Sequence, residues 1–358
     1  MRRFGCMLFA WLASPILFVS ALLAQNNGGL QFALTDLGTL GGGASIGNAI
    51  NNKGQIVGYI YKGTGTMCFS WQAGTTPVTF AGGTKPPSCI ATAVSVDGRI
   101  AGQIILTKTA GNWAPLRRET NGSVILLNEL PGSSGASRAW GIYKSSVVGQ
   151  SGYPPLAVQW DYYGNVTPLL NTYSEAFAIN SKGHVVGAVQ GPSQGNPWLW
   201  QNGSLTYLPA PGSNPWAFAY TINPNDAIGG FTYVPGSMCM AYWYTGVLTN
   251  LDCGYNAQPA VGISSDGWVL GGHNASTGHC GPYFGGNSSD RCATLSVPGC
   301  SVADVNTLLD SSGTGSVLWE AAGINDAHQI VANGLSPIDG AEHAVLLTPN
   351  NQPLCYGL

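Results

Sequence analysis

The chain has 358 residues, of which only 8% are Asp, Glu, Lys or Arg, and its formal net charge is −3. This charged fraction is about a third of the usual share. Because nucleic-acid binding needs a basic surface that displaces counterions, the composition excludes a nucleic-acid partner.

The first 24 residues have the pattern of a secretory signal peptide. Two arginines supply a positive start, an apolar run covers residues 7–23, and Ala24 offers a small residue for cleavage. A permanent membrane anchor is the alternative, but the apolar run is short and a Ser-Pro pair interrupts it. We therefore predict that residues 1–24 are a signal peptide and that no membrane span follows its cleavage.

The first predicted strand after the signal peptide is residues 32–37, with the sequence Phe-Ala-Leu-Thr-Asp-Leu. It precedes the first repeat described below and has no neighbour in the sequence with which to form a hairpin. The last repeat has the opposite deficit, since it reaches a third strand at residues 344–347 and has no clear fourth. We predict that the N-terminal strand completes this last repeat, because that pairing removes both exposed edges.

Between these ends, a five-residue pattern occurs seven times. A small residue, any residue and a second small residue are followed by Ile or Val and then by the start of a turn. A turn that closes on Gly, as at Gly54, is typical of a tight hairpin, and an apolar pair ending in Gly follows at residues 56–58. Each repeat therefore opens with two antiparallel strands. The pattern lies at residues 47–51, 91–95, 139–143, 176–180, 219–223, 260–264 and 321–325.

A third strand, usually ending in an aromatic residue, and a fourth strand follow, as at residues 198–200 and 205–208. Four short strands per repeat, at a period of roughly 40–60 residues, predict an all-β protein, a seven-bladed β-propeller of four-stranded blades. Because small residues recur on one face of the first strand, we place that strand innermost, where blades converge. A β-sandwich and an irregular β-solenoid are the alternatives. The single domain at 25–358 then contains repeats at roughly 44–88, 89–134, 135–172, 173–213, 214–255, 256–308 and 318–350.

Two motifs carry a family resemblance. Residues 36–42, Asp-Leu-Gly-Thr-Leu-Gly-Gly, and the repeat at residues 49–58 resemble the bacterial extracellular HAF repeat family, as does the ending that starts at His343. The resemblance covers nearly the whole chain after residue 24, although the His-Ala-Phe triplet is never intact. It implies a bacterial β-propeller-like protein that is secreted, periplasmic or at the cell surface. It brings no established activity and no catalytic residues.

Eight cysteines remain after signal cleavage, an even number in an exported chain, so disulfides are predicted. Their positions in the predicted blades favour four bridges, which are Cys68–Cys89, Cys239–Cys253, Cys280–Cys292 and Cys300–Cys355.

The loops at the two ends of the predicted blades differ in character. Turns between first and second strands and between third and fourth strands are short and uniform, whereas the other loops, at the opposite end, are long and varied. Variable loops on a rigid scaffold usually carry binding. Loop packing is the alternative for their aromatic rings. The candidate ligand-facing residues are Tyr59, Tyr61, Trp113, Tyr153, Tyr233, His273, His279, Tyr283 and Phe284.

No convergent catalytic set emerges from the sequence. The nearest metal constellation is His273, His279, Cys280, Asp290 and Cys292, but its cysteines are predicted to be oxidised, so we predict neither metal nor cofactor. Acids near the first turns offer carboxylate pairs of the kind that glycosidases use, although charged hairpin tips are ordinary. These acids are Asp97, Asp226, Asp266 and Asp326.

The leading functional hypothesis is an exported, non-catalytic binding or structural module. It would present variable loops to an extracellular carbohydrate, peptide or protein. The alternative is a propeller-type carbohydrate-active enzyme, a glycoside hydrolase or lyase.

Overall fold

In the computed structural model of the protein, strands account for almost all regular structure. The described residues are 29–85, 87–105, 113–133, 135–191, 194–212, 215–254, 257–274 and 291–350, and the predicted signal peptide lies outside them. Two short 3-10 helices, Val305–Leu308 and Ser311–Gly313, are the helical elements of these ranges. Neither they nor any other described segment forms a helix long and apolar enough to span a membrane. The all-β prediction is confirmed.

The 27 strands of the described ranges form five four-stranded antiparallel sheets and one seven-stranded antiparallel sheet. The N-terminal strand is β1 (Phe32–Asp36). The first sheet contains β2 (Ala44–Ile50), β3 (Ile56–Lys62), β4 (Gly65–Trp71) and β5 (Val78–Gly82). The second sheet contains β6 (Ser88–Val94), β7 (Ile100–Ile105), β8 (Trp113–Arg118) and β9 (Val124–Leu126).

The seven-stranded sheet follows, and each of its strands pairs with the next along the chain. Its strands are β10 (Arg138–Tyr143), β11 (Ser146–Ser151), β12 (Leu156–Trp160), β13 (Val166–Ile179), β14 (Val185–Gly191), β15 (Gln194–Gln201) and β16 (Ser204–Tyr207).

Three four-stranded sheets complete the structure. One contains β17 (Ala217–Ile222), β18 (Ile228–Val234), β19 (Ser237–Tyr244) and β20 (Val247–Gly254). The next contains β21 (Gln258–Ile263), β22 (Val269–Asn274), β23 (Arg291–Ser296) and β24 (Ala303–Asp304). The last contains β25 (Val317–Ile324), β26 (Ile330–Leu335) and β27 (Glu342–Pro349), together with β1.

The seven-stranded sheet arises because β13 is 14 residues long. Its first half pairs with β12 up to Tyr173, and its second half pairs with β14 from Ser174 onwards. The sequence predicts two separate strands here, the fourth of one repeat and the first of the next, with the repeat boundary between residues 172 and 173. The strand is continuous because residues 169–179 contain neither Gly nor Pro, which would interrupt it.

The two ends of the chain meet as the sequence predicts. β1 pairs antiparallel with β27, from Phe32 opposite Pro349 to Asp36 opposite Val345. The last sheet in turn contacts the first, since the Asn333 side chain accepts from the Gly47 N–H (2.8 Å) and donates to the Gly47 carbonyl (3.0 Å). The N-terminal strand therefore belongs to the last sheet, and that sheet lies beside the first one.

The motifs that carry the family resemblance also contact each other at this closure. The carboxylate of Asp36 lies 2.7 Å from the Nδ1 atom of His343. The same carboxylate accepts hydrogen bonds from the Gly38 N–H and from the Ser336 hydroxyl. Asp36 and His343 therefore link β1 to β27 through their side chains as well as through the backbone ladder.

The hydrophobic core lies between neighbouring sheets. One cluster, for example, combines Val57 of the first sheet with Ala91, Ile100 and Leu116 of the second. Small residues of the repeated pattern make this approach possible, because a Cβ atom added at Gly47 would come within 2.6 Å of the Val331 side chain. The small face of one sheet thus receives the bulky face of its neighbour.

Side-chain amides at the first turns add hydrogen bonds between sheets. The Asn51 side chain accepts from the N–H groups of Lys53 and Gln55 in its own turn, and donates to the Ser95 carbonyl of the next sheet (2.9 Å). The Asn325 side chain donates to the Asn51 carbonyl in the same way (3.0 Å). These turn asparagines are therefore structural, since each satisfies backbone groups in two sheets.

Candidate functional site

The seven strands that carry the repeated pattern, here called the inner strands, each deviate from regular pairing at the middle of that pattern. In β2, for example, Gly47 and Ala49 pair with consecutive residues of β3, so Asn48 is left unpaired as a β-bulge. The inner strands are β2, β6, β10, the second half of β13, β17, β21 and β25.

The Gly of the second strand is the sequence signal of this bulge. A Cβ atom at Gly58 would overlap the carbonyl oxygen of Ile46 on the neighbouring inner strand, and Gly102 stands in the same relation to Ile90. Gly149, Gly187 and Gly230 repeat the arrangement. A glycine inside a strand often marks such a close approach, whereas the repeat pattern alone places this glycine only at the end of an apolar pair.

The unpaired middle residues surround a central channel. The narrow part has a volume of about 320 Å³ and is lined by all seven of them. These residues are Asn48, Thr92, Trp140, Phe177, Tyr220, Val261 and Ala322.

Towards the N-terminal ends of the inner strands the channel widens into a cavity of about 530 Å³, which we call the funnel. This is the end at which the long, varied loops were predicted. A volume between about 300 and 1,000 Å³ is typical of a small-ligand site. None of the ten described residues that line the funnel is charged. They are Asn48, Tyr59, Ile90, Thr92, Gln103, Trp140, Phe177, Tyr220, Pro259 and Val261.

Aromatic rings line one side of the funnel. The ring centroids of Phe177 and Tyr220 are 4.7 Å apart, and those of Tyr220 and Phe231 are 5.9 Å apart. Burial, and then the charge of Glu175, raise the pKa of Tyr220 to about 12. Its hydroxyl therefore stays neutral at physiological pH and remains available as a hydrogen-bond donor and acceptor.

Glu175 is an acidic residue close to this aromatic side. Its pKa lies above the usual value because burial disfavours the charged form, although the charge of Arg138 and a hydrogen bond with Gln190 oppose that shift. Glu175 and Arg138 therefore interact electrostatically beside the funnel, although neither is among its ten described lining residues.

Small polar side chains line another part of the funnel and are already paired. The Asn48 amide donates to the Ala91 carbonyl (2.7 Å), and the Thr92 hydroxyl donates to the Ala139 carbonyl (2.8 Å). These bonds connect consecutive inner strands.

Two polar groups in the funnel lack such partners. Gln103 is 3% exposed, and its Oε1 atom accepts no hydrogen bond from any described residue. The buried Nε1–H of Trp140 likewise has no acceptor among the described residues. By contrast, Trp160 and Trp243 donate to the carbonyls of Asn128 (2.6 Å) and Pro209 (2.7 Å). An unpaired buried polar group costs about 1–3 kcal/mol, so a ligand group that pairs with either atom would recover that cost. Trp198 Nε1, outside the funnel, is unpaired among the described residues as well, and what distinguishes Gln103 and Trp140 is that both line the funnel.

The predicted ligand-facing residues have different surroundings in the structure. Tyr59 lines the funnel, with its ring centroid 5.5 Å from that of the exposed Tyr61. Trp113 packs under the Arg138 guanidinium, 4.6 Å from the ring centroid, and Tyr233 lies beside Trp216. Tyr153 is highly exposed.

The prediction that these rings belong to loops is wrong for four of them. Tyr59 and Tyr61 lie in β3, Trp113 lies in β8 and Tyr233 lies in β18, because those strands extend beyond the residues used to predict them. His273 lies in β22, and only its backbone is among the described parts of the structure. His279, Tyr283 and Phe284 lie outside the described residues.

Two disulfides match the predicted pairs. Cys68–Cys89 connects β4 to β6, and Cys239–Cys253 connects β19 to β20. Cys292 and Cys300 are also disulfide-bonded. Their predicted partners, Cys280 and Cys355, lie outside the described residues, so those two pairings remain predictions. Disulfides are consistent with an extracellular or periplasmic protein.

The acidic residues and the candidate metal ligands named from the sequence form neither a catalytic carboxylate pair nor a metal site within the described ranges. Asp226 lies beside Lys182 and His184, and Asp266 lies beside His328, so both make local ion-pair contacts at turns. No group of three or more metal-ligating side chains occurs within the described residues. His279, Cys280 and Asp290 of the candidate constellation fall outside them.

Comparisons with known proteins identify the fold class. No protein-family model matches the chain, and no curated protein matches it. The structure is similar to virginiamycin B lyase from Staphylococcus aureus, with a TM-score of 0.55 and 13% identity over 89% of this chain and 99% of that chain. It is also similar to a streptogramin B lyase, with a TM-score of 0.53 and 13% identity over 89% and 98% of the two chains.

A puromycin hydrolase gives a TM-score of 0.55 with 11% identity, over 87% of this chain and 54% of that chain. At such identities the likeness concerns the fold alone. Virginiamycin B lyase is a β-propeller, and the likeness therefore assigns this all-β chain to the β-propeller class.

Proposed function

We propose that the protein is an exported, non-catalytic carbohydrate-binding module and that its binding site is the funnel. The observation that carries this proposal is the combination of aromatic rings with an unpaired acceptor, Gln103 Oε1, and an unpaired donor, Trp140 Nε1–H. A sugar hydroxyl can both donate and accept. One hydroxyl-bearing ring could therefore pair both groups while its apolar face packs on Phe177 or Tyr220.

The neutral lining favours a saccharide over a charged peptide. All ten described funnel residues are uncharged, so an ionic ligand would lose its hydration without gaining an oppositely charged partner among them. A saccharide carries many neutral hydroxyls and has no such cost.

The same lining supports binding rather than catalysis. Hydrolysis or elimination needs a general acid or base within hydrogen-bond reach of the reacting atoms. None of the ten described funnel residues is Asp, Glu, His, Lys or Cys. Burial raises the pKa of both funnel tyrosines, Tyr59 and Tyr220, so neither is ionised to act as a base at physiological pH. The lyase and hydrolase names of the structural neighbours describe those proteins, and the shared fold does not transfer their reactions.

The proposal includes a seven-bladed propeller closed by β1. Seven inner strands line one channel, and β13 contributes the outer strand of one blade and the inner strand of the next. Membership of the HAF repeat family remains part of the proposal. The contact between Asp36 and His343 supports it, because it gives the two motifs of the resemblance a shared structural role.

Replacing Gln103 with leucine is expected to weaken saccharide binding by about fivefold to tenfold, because one hydrogen bond to the ligand is lost. The same variant should unfold at the same or a higher denaturant concentration, because the unpaired buried Oε1 atom is removed. Titration calorimetry with neutral hexasaccharides of β-1,4-linked glucose, N-acetylglucosamine, xylose and mannose measures the affinity.

The matched control is Gln72→Leu, since Gln72 lies on an exposed turn and donates to the Lys53 carbonyl outside the funnel. This control should bind like the unsubstituted protein. If the unsubstituted protein binds none of the four hexasaccharides, or if Gln103→Leu binds them with unchanged affinity, the proposed function is wrong.

A further inference from the structure

Two exposed aromatic rings lie together at one edge of the structure, outside the funnel. Trp216 is 50% exposed and Tyr233 is 42% exposed, and their ring centroids are 6.0 Å apart with a 40° angle between the planes. The backbone holds them in place, since the Tyr233 N–H donates to the Trp216 carbonyl (2.9 Å). Single exposed hydrophobic residues are ordinary, whereas a fixed pair of rings forms a platform.

An aromatic row connects this pair to the funnel. Trp216 directly precedes β17, and Phe218 and Tyr220 follow at alternate positions within it, so the three side chains lie on one side of the chain. The rings of Phe218 and Tyr220 have centroids 6.0 Å apart at 17°, and Tyr220 lines the funnel.

The neighbouring strand β18 repeats the row. Phe231 pairs with Phe218 and stacks on it at 5.1 Å and 14°, and Tyr233 follows two residues later. Because residues rise about 3.3 Å each along a strand, Trp216 and Tyr220 are separated by roughly 13 Å. This span exceeds the size of a single sugar ring.

We propose that Trp216 and Tyr233 form a second subsite of the funnel and that the ligand is therefore an oligosaccharide chain rather than a monosaccharide. This inference rests on the proposed function, because it assumes that a saccharide occupies the funnel. One end of the chain lies against Tyr220 and Phe177, and the chain continues over Trp216 and Tyr233. Chain length is then a determinant of affinity.

The test is a titration of the β-1,4-linked glucose, N-acetylglucosamine, xylose and mannose series, from one to six units, against the unsubstituted protein and against Trp216→Ala. The affinity of the unsubstituted protein should rise with length and then level off. Trp216→Ala should weaken binding of the hexasaccharide about tenfold, because a stacking platform is lost, and leave binding of the shortest bound saccharide unchanged. Tyr233→Ala is a second, independent variant with the same expected pattern.

Tyr163→Ala is the matched control, since Tyr163 is an exposed ring in the turn between β12 and β13. It should bind every length like the unsubstituted protein. Affinity that does not depend on length, or equal weakening of short and long saccharides by Trp216→Ala, would overturn the second subsite and leave the proposed function intact. Absence of binding at every length would overturn both.

Discussion

Replacing Phe32 with alanine is expected to lower the free energy of unfolding by about 3–5 kcal/mol, the usual cost of truncating a buried phenylalanine. Phe32 is 0% exposed and lies in β1, within a cluster that includes Leu295, Val305 and Leu347. Its carbonyl also accepts from the Asp310 N–H (2.9 Å). The ring therefore stabilises both the sheet that β1 completes and the contact of β1 with the preceding sheet.

The measurement is unfolding by guanidinium chloride, monitored by tryptophan fluorescence. Thr35→Ala is the matched control in the same strand, because Thr35 is exposed and its truncation should change stability by less than about 0.5 kcal/mol. A cost below about 1 kcal/mol for Phe32→Ala would mean that β1 does not close the structure.

Replacing Arg117 with methionine is the second change with a large expected effect, a loss of about 3–5 kcal/mol of unfolding free energy. The Arg117 side chain is 0% exposed, and its Nε–H donates to Glu119 (2.6 Å). Its terminal nitrogens donate to the carbonyls of Ser145, Asp161 and Tyr162 at 2.6–2.9 Å. Methionine fills similar space but leaves a carboxylate and three carbonyls without these bonds.

The effect of Arg117→Met should also depend on pH. Burial acts to raise the pKa of Glu119, but hydrogen bonds from Arg99 and Arg117 outweigh it and hold that pKa below its usual value. The stability from this pair is fully present above the unfolded pKa of about 4.3 and is lost as the pH falls through the lower folded pKa. The difference between the two proteins should therefore shrink in acid.

Lys182→Met is the control for Arg117→Met. Lys182 makes an ion pair with Asp226 (2.7 Å), and its side chain is 48% exposed, so its loss should cost less than about 1 kcal/mol. Equal costs for the two substitutions would contradict the structural role assigned to Arg117.

The sequence predicts the scaffold well because the scaffold repeats. The pattern of small residues identifies the inner strands, and Gly47 shows why, since no larger residue fits against Val331. The N-terminal strand lacks a hairpin partner and the last repeat lacks a fourth strand, and together these two gaps predict the pairing of β1 with β27. These features depend on local spacing and on edges, both of which are visible along the chain.

The funnel is harder to predict because it depends on register between strands. The middle residue of each pattern varies from Asn48 to Trp140 to Ala322, and only the β-bulge directs it into the channel. The continuous strand β13 depends on the absence of a breaking residue, which a repeat-based division of the chain overlooks. Tyr233 was predicted to face a ligand, but its partner Trp216 and the row leading to Tyr220 appear only when β17 and β18 are paired.

The proposed function requires a saccharide in the funnel to pair with the Nε1–H of Trp140. The most direct measurement is the indole region of a proton–nitrogen correlation spectrum of labelled protein, with the Trp140 signal assigned from Trp140→Phe. We predict that cellohexaose or chitohexaose shifts the Trp140 signal, while the signals of Trp160 and Trp243, which already donate to carbonyls, stay in place. An unmoved Trp140 signal at saturating concentrations of both saccharides would contradict the claim.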